Sequence, residues 1–173
     1  PYEEQVIFES YPGASATQNV TINGNGETVS FNATVTDKRV IGFDGAKHII
    51  LDSLTIESDN STYGYGVHFK NAADSNTVQN CTIDLSNITS TSSGNSAGIL
   101  ASNSNTTPFS GANNANYLTI DNNVVKGGVN GGPYYGINLV GVSSTTNCVG
   151  NEVTNNTVTD FYQYGIQMDD QEE

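Results

Sequence analysis

Residues 153–158 read VTNNTV, a phrase in which two apolar residues enclose a polar centre rich in asparagine. The phrase recurs as IDNNVV at residues 120–125, as VQNCTI at 78–83 and as LDSLTI at 51–56. A weaker copy, INGNG, stands at residues 22–26. A chain that repeats one short phrase at intervals of this size is built from stacked structural units.

A second phrase alternates strictly with the first. It reads GVHF at residues 66–69, GILA at 98–101, GINL at 136–139 and GIQM at 165–168, with a weaker copy, VIGF, at 40–43. Apolar residues occupy every second position of both phrases, which is the period of a strand and not of a helix. The repeats therefore predict short strands.

The repeats also predict the architecture. One strand–turn–strand unit of this size cannot bury an apolar face alone, whereas stacked units share a continuous core. We predict an all-β protein, a right-handed parallel β-helix (a solenoid) of about five rungs, with like strands ~4.8 Å apart. Residues 19–168 would form the β-helix domain, residues 1–18 an N-terminal cap or partial rung, and residues 169–173 an acidic tail. The longest loops are residues 86–97 and 102–115.

The first phrase predicts which side chains fill the coil. Its outer apolar residues should point inward and stack in two columns, Leu51, Val78, Ile120 and Val153 in one and Ile56, Ile83, Val125 and Val158 in the other. Between the columns the chain must bend, and asparagine tolerates the left-handed backbone of a tight bend. We expect a structural ladder of hydrogen bonds along the coil at Ser53, Asn80, Asn122 and Asn155.

Composition restricts the class of partner. The 173 residues suit one domain, and 18 acidic residues against five Lys and Arg give a net charge of −13. Such a chain is a poor binder of nucleic acid. No apolar run approaches the ~20 residues of a membrane span, and PYEEQV at the start is not a recognisable signal peptide. Cys81 and Cys148 lie about two rungs apart, beyond disulfide reach, so we expect two free thiols.

Three stretches carry a resemblance to a known group of proteins. NCTIDLSN at residues 80–87, GINLVG at 136–141 and NNTVTDFYQYGIQM at 155–168 resemble the right-handed β-helix repeats of large secreted bacterial surface proteins, which share the pectate-lyase-like superfold. The resemblance covers roughly residues 19–168. It implies a secreted or cell-surface module that acts in adhesion, in glycan binding or as a structural stalk. The superfold also hosts enzymes, so the repeats alone imply no catalytic residues.

The sequence lacks the catalytic patterns of the enzymes that share this superfold. Polysaccharide lyases of the superfold use a basic proton abstractor with acids that hold calcium, and its hydrolases use clustered aspartates. Here the only Asp-Asp pair stands at residues 169–170, and neither His48 nor His68 is flanked by two glycines. The two histidines fall on different strands, and each is expected at the surface or at a strand edge rather than as a general base. We predict no catalytic residues and keep a polysaccharide lyase or glycoside hydrolase as the alternative. The second phrase places at outward positions His68, Leu100, Asn138 and Gln167.

Five tyrosines are candidate glycan-contacting residues. Tyr65, Tyr135 and Tyr164 each precede the glycine of a second phrase, and Tyr134 and Tyr162 stand one or two residues earlier. They should gather along one corner of the coil. Tyrosine rings there would either lie flat against the sugars of a polysaccharide or cell-surface glycan or pack the corner of the solenoid. The sequence leaves both alternatives open.

One pair of carboxylates is a candidate metal site. Glu57 and Asp84 are expected side by side on adjacent rungs, where they would share a proton or bind calcium. Lys126, one rung further, would instead neutralise Asp84 in a surface ladder. No other cofactor is expected.

Two further alternatives concern the outer surface and the ends. An ice-binding solenoid needs regular threonine columns, but the predicted outward columns mix threonine with aspartate, glutamine and lysine. The ends of a solenoid expose core and strand edges. End-to-end self-association or a larger parent chain would cover them.

Overall fold

The computed structural model describes residues 1–128, 131–142 and 148–172. These residues form strands and no helix, so no helix among them could span a membrane. In chain order the strands are β1 (Tyr2–Glu3), β2 (Val6–Glu9), β3 (Val20–Asn23), β4 (Thr28–Phe31), β5 (Arg39–Asp44), β6 (Ile49–Asp52), β7 (Thr55–Ser58), β8 (Gly64–Lys70), β9 (Thr77–Gln79), β10 (Thr82–Asp84), β11 (Ser96–Ala101), β12 (Thr119–Asp121), β13 (Val124–Lys126), β14 (Tyr135–Val140), β15 (Cys148–Val149), β16 (Glu152–Thr154), β17 (Thr157–Thr159), β18 (Tyr164–Asp169) and β19 (Gln171–Glu172).

The strands stack in three long parallel sheets. Sheet 1 contains β1, β4, β7, β10, β13 and β17; sheet 2 contains β2, β5, β8, β11, β14 and β18; sheet 3 contains β3, β6, β9, β12 and β16. The chain crosses sheet 3, sheet 1 and sheet 2 in turn, and five such rungs follow the half rung of β1 and β2. The protein is an all-β right-handed parallel β-helix, and the predicted fold is confirmed.

The two ends of the chain join this stack. β1 pairs with β4 and β2 pairs with β5, so the first residues extend sheets 1 and 2. Asp169 ends β18, and Gln171–Glu172 forms β19, which pairs in parallel with Cys148–Val149. Glu173, the last residue of the predicted acidic tail, lies outside the described residues.

The first phrase forms two strands joined by a bend, one in sheet 3 and one in sheet 1. In sheet 3, Leu51 pairs with Val78, Val78 with Ile120, and Ile120 with Val153. The second inward column is likewise in register, from Ile56 through Ile83 and Val125 to Val158. The members in the middle rungs are fully buried, and each such side chain stabilises the fold by about 1.5–3 kcal/mol.

The glycine of the second phrase is required by close stacking. A Cβ at Gly98 would lie 2.4 Å from Val125 Cγ1 and 2.6 Å from the main-chain oxygen of Gly136, which is the matching glycine of the next rung. A Cβ at Gly66 would lie at the same distance, 2.6 Å, from the main-chain oxygen of Gly98. Sheet 2 therefore approaches sheet 1 without room for any side chain at this position.

The bends have left-handed backbone, as the asparagines indicated. The φ angles of Ser53, Asn80, Asn122 and Asn155 lie between 54° and 56°. Asn122 Nδ2 donates to Asn80 Oδ1 at 2.8 Å, and Asn80 Nδ2 donates to Asp52 Oδ1 at 2.8 Å. Ser53 also donates to Asp52, and Asn155 donates to Asp121. Aspartates therefore take part in this outer ladder.

A second ladder runs inside the coil and is formed by Asn123 and Asn156, the residues that follow Asn122 and Asn155. Asn123 Oδ1 accepts from the main-chain nitrogen of Cys81 at 2.9 Å, and Asn123 Nδ2 donates to the oxygen of Val78 at 2.9 Å. Asn156 Oδ1 accepts from the main-chain nitrogen of Asn123. These amides pair main-chain groups that the bend leaves without a strand partner. Cys81 occupies the same inward column and, like Cys148, is buried and free of any disulfide.

Candidate functional site

A loop covers the outer face of sheet 2. Residues 102–110, which we call the strap, lie across β8, β11 and β14. His68 Nε2 lies 2.6 Å from the main-chain oxygen of Ser102, and Asn138 Nδ2 donates to the oxygen of Pro108 at 2.8 Å. His68, Leu100 and Asn138 point away from the coil and are nevertheless buried. The prediction of a surface position for His68 is therefore wrong, because the strap covers it.

The burial of His68 also bears on its chemistry. Burial lowers its pKa to about 4, and the charges of Arg39 and Lys70 act in the same direction, against the hydrogen bond to Ser102. The ring is neutral at pH 7 and has no access to solvent. His48 lies elsewhere, in a left-handed bend with φ 57°, and is half-buried. The two histidines do not form a common site.

Lys38 fixes the strap to the coil. Its Nζ donates to the main-chain oxygens of Gly94 and Thr106, both at 2.7 Å, and lies 5.2 Å from the ring centroid of Tyr63. The side chain is buried, and burial lowers its pKa. One ammonium therefore holds loop 86–97 and the strap together.

The charged side chains beside the strap form ion pairs. Arg39 donates two hydrogen bonds to the carboxylate of Asp37, and Lys70 Nζ lies 3.0 Å from Asp44 Oδ2. Burial alone would raise the pKa of Asp37, but the hydrogen bonds and charge of Arg39 outweigh it and hold that pKa below its usual value. The pKa of Asp44 is lowered in the same way, against burial, by Asn71 and Lys70. The charge of Asp37 is therefore neutralised by Arg39, and that of Asp44 by Lys70.

Four of the five candidate tyrosines form one cluster. The Tyr134 centroid lies 4.6 Å from that of Tyr135, 5.8 Å from that of Tyr162 and 6.1 Å from that of Tyr164. The rings of Tyr135 and Tyr164 are stacked at 5.6 Å with 8° between their planes. Tyr65 shares a buried hydrophobic cluster with Tyr135, but among the described residues its ring contacts none of these four, because Ala97 occupies the intervening position of the column.

Exposure divides these tyrosines into two groups. Tyr65 is fully buried, and its hydroxyl donates to the oxygen of Gly94 at 2.9 Å. Tyr135 is 5% exposed, and burial raises its pKa to about 12. Tyr162 is 53% exposed, Tyr164 39%, and Tyr134 is half-buried. We call Tyr134, Tyr162 and Tyr164 the aromatic patch; Tyr135 is its buried support.

The sequence pattern did not reveal Phe109, a strap residue that also contacts Tyr135. Its ring lies 6.2 Å from that of Tyr135, edge-on at 66°, and the side chain is 50% exposed. No repeat phrase contains Phe109, so periodicity carried no signal for it. Its position depends on how the strap folds back over sheet 2.

The predicted carboxylate pair lies in register, but a lysine binds one member. Asp84 pairs with Glu57 on one side and Lys126 on the other, and Lys126 Nζ lies 2.5 Å from Asp84 Oδ2. Burial would raise the pKa of Asp84, but hydrogen bonds from Lys126 and Ser86 outweigh it and lower that pKa. In residues 1–128, 131–142 and 148–172, no three His, Cys, Asp or Glu side chains lie close enough to hold a metal ion together.

The outward face of sheet 1 is a mixed surface. One column consists of Thr28, Thr55, Thr82, Val124 and Thr157. The neighbouring column consists of Ser30, Glu57, Asp84, Lys126 and Thr159. Threonines thus repeat along one column, which Val124 interrupts, beside a column that carries charge.

Compared with known proteins, the chain matches no protein-family model, no curated protein and no solved structure. The fold itself defines the class: a parallel β-helix with a strapped sheet 2 and an aromatic patch beside the strap.

Proposed function

We propose that this chain is a non-catalytic β-helical module of a secreted or cell-surface protein, and that the aromatic patch contacts a glycan. The repeat phrases that resemble those of secreted bacterial surface proteins support the location. The pectate-lyase-like superfold that they share is part of the same proposal. Such a module would act in adhesion.

The aromatic patch is the observation that carries the proposal. Tyr162 and Tyr164 expose large parts of their rings although Tyr134 and the buried Tyr135 pack against them. Exposed apolar surface that is held rigid by a buried neighbour is typical of an interaction site. Tyrosine offers an apolar face to the C–H groups of a sugar ring and a hydroxyl to its oxygens.

The ion pairs formed by these aspartates favour a binding role for the protein over a catalytic one. Asp37 and Asp44 are paired with Arg39 and Lys70, and Asp84 is paired with Lys126. A general base must reach the proton that it abstracts. Here each of these carboxylates already accepts hydrogen bonds from a neighbouring cation.

A glycan array with matched variants tests the proposal. Wild-type protein should bind a subset of glycans, and Tyr162→Ala combined with Tyr164→Ala should bind them at least roughly tenfold more weakly. Tyr117→Ala is the control, because Tyr117 is an exposed tyrosine that lies against Gly150, outside the patch. Thermal melting of each variant separates loss of binding from loss of fold.

Two results would count against the proposal. Equal binding by the double variant and by wild type would show that the patch takes no part in glycan recognition. Release of shortened or unsaturated products from a bound polysaccharide would show an enzyme of the lyase or hydrolase type.

A further inference from the structure

The strap places a further exposed ring, that of Phe109, beside the aromatic patch. Ring contacts run from Tyr162 to Tyr134, from Tyr134 to Tyr135, and from Tyr135 to Phe109. Tyr135 is the buried centre of this series, and the exposed members lie on both sides of it. The rings come from three separate segments of the chain.

The strap is an unusual place for an exposed phenylalanine. Residues 102–110 read SNSNTTPFS followed by no further large apolar residue before Tyr117, so Phe109 has no apolar partner within the strap other than Pro108. Burial of the ring against the coil would be favourable, yet half of it faces solvent. The contact with Tyr135 does not explain why half of the Phe109 ring is left in solvent.

Hydrogen bonds on both sides of Phe109 hold the ring in place. The main-chain oxygen of Thr106 accepts from Lys38, that of Thr107 accepts from Ser102 Oγ at 2.7 Å, and that of Pro108 accepts from Asn138. Ser110 donates its main-chain N–H to Ser102 Oγ at 3.2 Å. A ring presented by an already ordered segment loses little conformational entropy when it meets a ligand.

The direction of the ligand follows from what is buried. A ligand that ran along the coil axis beyond Tyr135 would meet Ala97 and then Tyr65, which is buried beneath loop 86–97. A ligand that passes from the rung of β18 over that of β14 to the strap meets Tyr162, Tyr134 and Phe109 in turn, with Tyr135 buried between the last two.

The charge of the ligand follows from the surroundings. Within the described residues, the cation–ring contacts are those of Lys38 with Tyr63 and Tyr65, and none involves the four rings of this surface. The chain carries a net charge of −13. A chain of this net charge repels a uronic-acid polymer, whereas it does not repel a neutral sugar.

We propose that Phe109 is a ligand-contacting residue, and that the ligand is a neutral glycan that extends from the rung of β18 to the strap. This inference rests on the proposed function. A β-linked glucan fits the chemistry, because its equatorial hydroxyls leave flat C–H faces that pack on aromatic rings.

Calorimetric titration with cellohexaose and with hexagalacturonate tests the inference. Wild type should bind cellohexaose more tightly than hexagalacturonate, at low and at high salt. Phe109→Ala should weaken cellohexaose binding roughly tenfold. Phe109→Leu keeps apolar bulk at the strap and removes the ring, so it should weaken binding while leaving the melting temperature unchanged. Val35→Ala, at an exposed valine outside the strap and the tyrosine cluster, is the control.

The outcomes separate this inference from the proposed function. If Tyr162→Ala with Tyr164→Ala abolishes glycan binding while both Phe109 variants bind as wild type does, the role of Phe109 is overturned and the proposed function stands. Tighter binding of hexagalacturonate overturns the neutral ligand alone. If wild type binds neither these probes nor any glycan of the array, both proposals fail.

Discussion

The Nζ of Lys38 lies 2.7 Å from the main-chain oxygen of Thr106, a residue 68 positions later in the chain. The same ammonium donates to Gly94 at 2.7 Å. Buried lysines are rare unless their donors are satisfied, and here two carbonyls and two tyrosine rings surround the charge. Lys38 is therefore the anchor of both long loops.

Replacing this anchor should loosen the strap. Lys38→Met leaves two carbonyls without their donor, which we expect to lower the free energy of unfolding by about 2–4 kcal/mol. Amide hydrogen exchange in residues 102–110 should accelerate more than exchange in sheet 3. Lys47→Met is the control, because Lys47 forms a partly exposed ion pair with Asp74 and should cost under about 1 kcal/mol. Unchanged exchange in the strap of the Lys38 variant would contradict the anchor.

His68 should make stability depend on pH in a defined window. The unfolded chain binds a proton at His68 below about pH 6.5, whereas the folded chain keeps the ring neutral down to about pH 4. Its contribution is therefore fully present above pH 6.5 and is lost as pH falls to about 4, by about 3 kcal/mol in total. Asp37, Asp44 and Asp84 have lowered pKa values in the folded chain, so the stability that they contribute is lost mostly toward and below the acid end of this window.

Chemical denaturation at several pH values measures this effect. His68→Gln retains a side-chain N–H for the oxygen of Ser102 and removes the titration, so its stability should change less than that of wild type between pH 6.5 and 4. Parallel stability curves for the two proteins would exclude His68 as the cause.

Two consecutive valines test the inward columns. Val125 is fully buried and Val124 is an exposed residue of the same strand. Val125→Asp buries an unpaired charge, which costs several kcal/mol of a total stability of roughly 5–15, and should unfold the domain. Val124→Asp should leave the circular dichroism spectrum and the melting temperature nearly unchanged. Similar melting of both variants would show that the strand is not oriented as described.

Adjacent asparagines test the inner ladder against the outer one. Asn123→Ala leaves the nitrogen of Cys81 and the oxygen of Val78 unpaired inside the coil, and should cost about 2–4 kcal/mol. Asn122→Gly loses only a surface hydrogen bond, while glycine accepts the φ of 54°, and should cost about 1 kcal/mol or less. Equilibrium unfolding in denaturant measures both, and the reverse order would contradict the inner ladder.

The inward columns could be predicted from the sequence because local chemistry determines them. Leu51, Val78 and Ile120 recur with the same spacing from the bend, and stacking follows from the repeat alone. The left-handed bends were equally predictable, since Asn80 and Asn122 have the intrinsic preference for that backbone.

The surroundings of sheet 2 could not be predicted in this way. His68 and Asn138 occupy outward positions of the repeat, and only a distant polar loop decides that they are buried. That loop has no apolar periodicity, so nothing local indicates where it lies. Whether Tyr135 is a support or a contact residue depends on the same loop through Phe109.

Two rings of the aromatic patch, those of Tyr162 and Tyr164, belong to the rung of β18, which pairs with β14 and with no other strand of the described residues. Ile166 and Met168 are 49% and 43% exposed, although the residues stacked beneath them in the preceding rung, Ile137 and Leu139, are fully buried. A strand with one hydrogen-bonded neighbour opens locally at a lower free energy than a strand that is paired on both sides. A glycan that contacts Tyr162 on this rung and Phe109 on the strap would hold the rung of β18 against that of β14. Glycan binding then stabilises the ordered rung, and an ordered rung binds the glycan more tightly. The affinity for the glycan should therefore decline on warming before the domain melts.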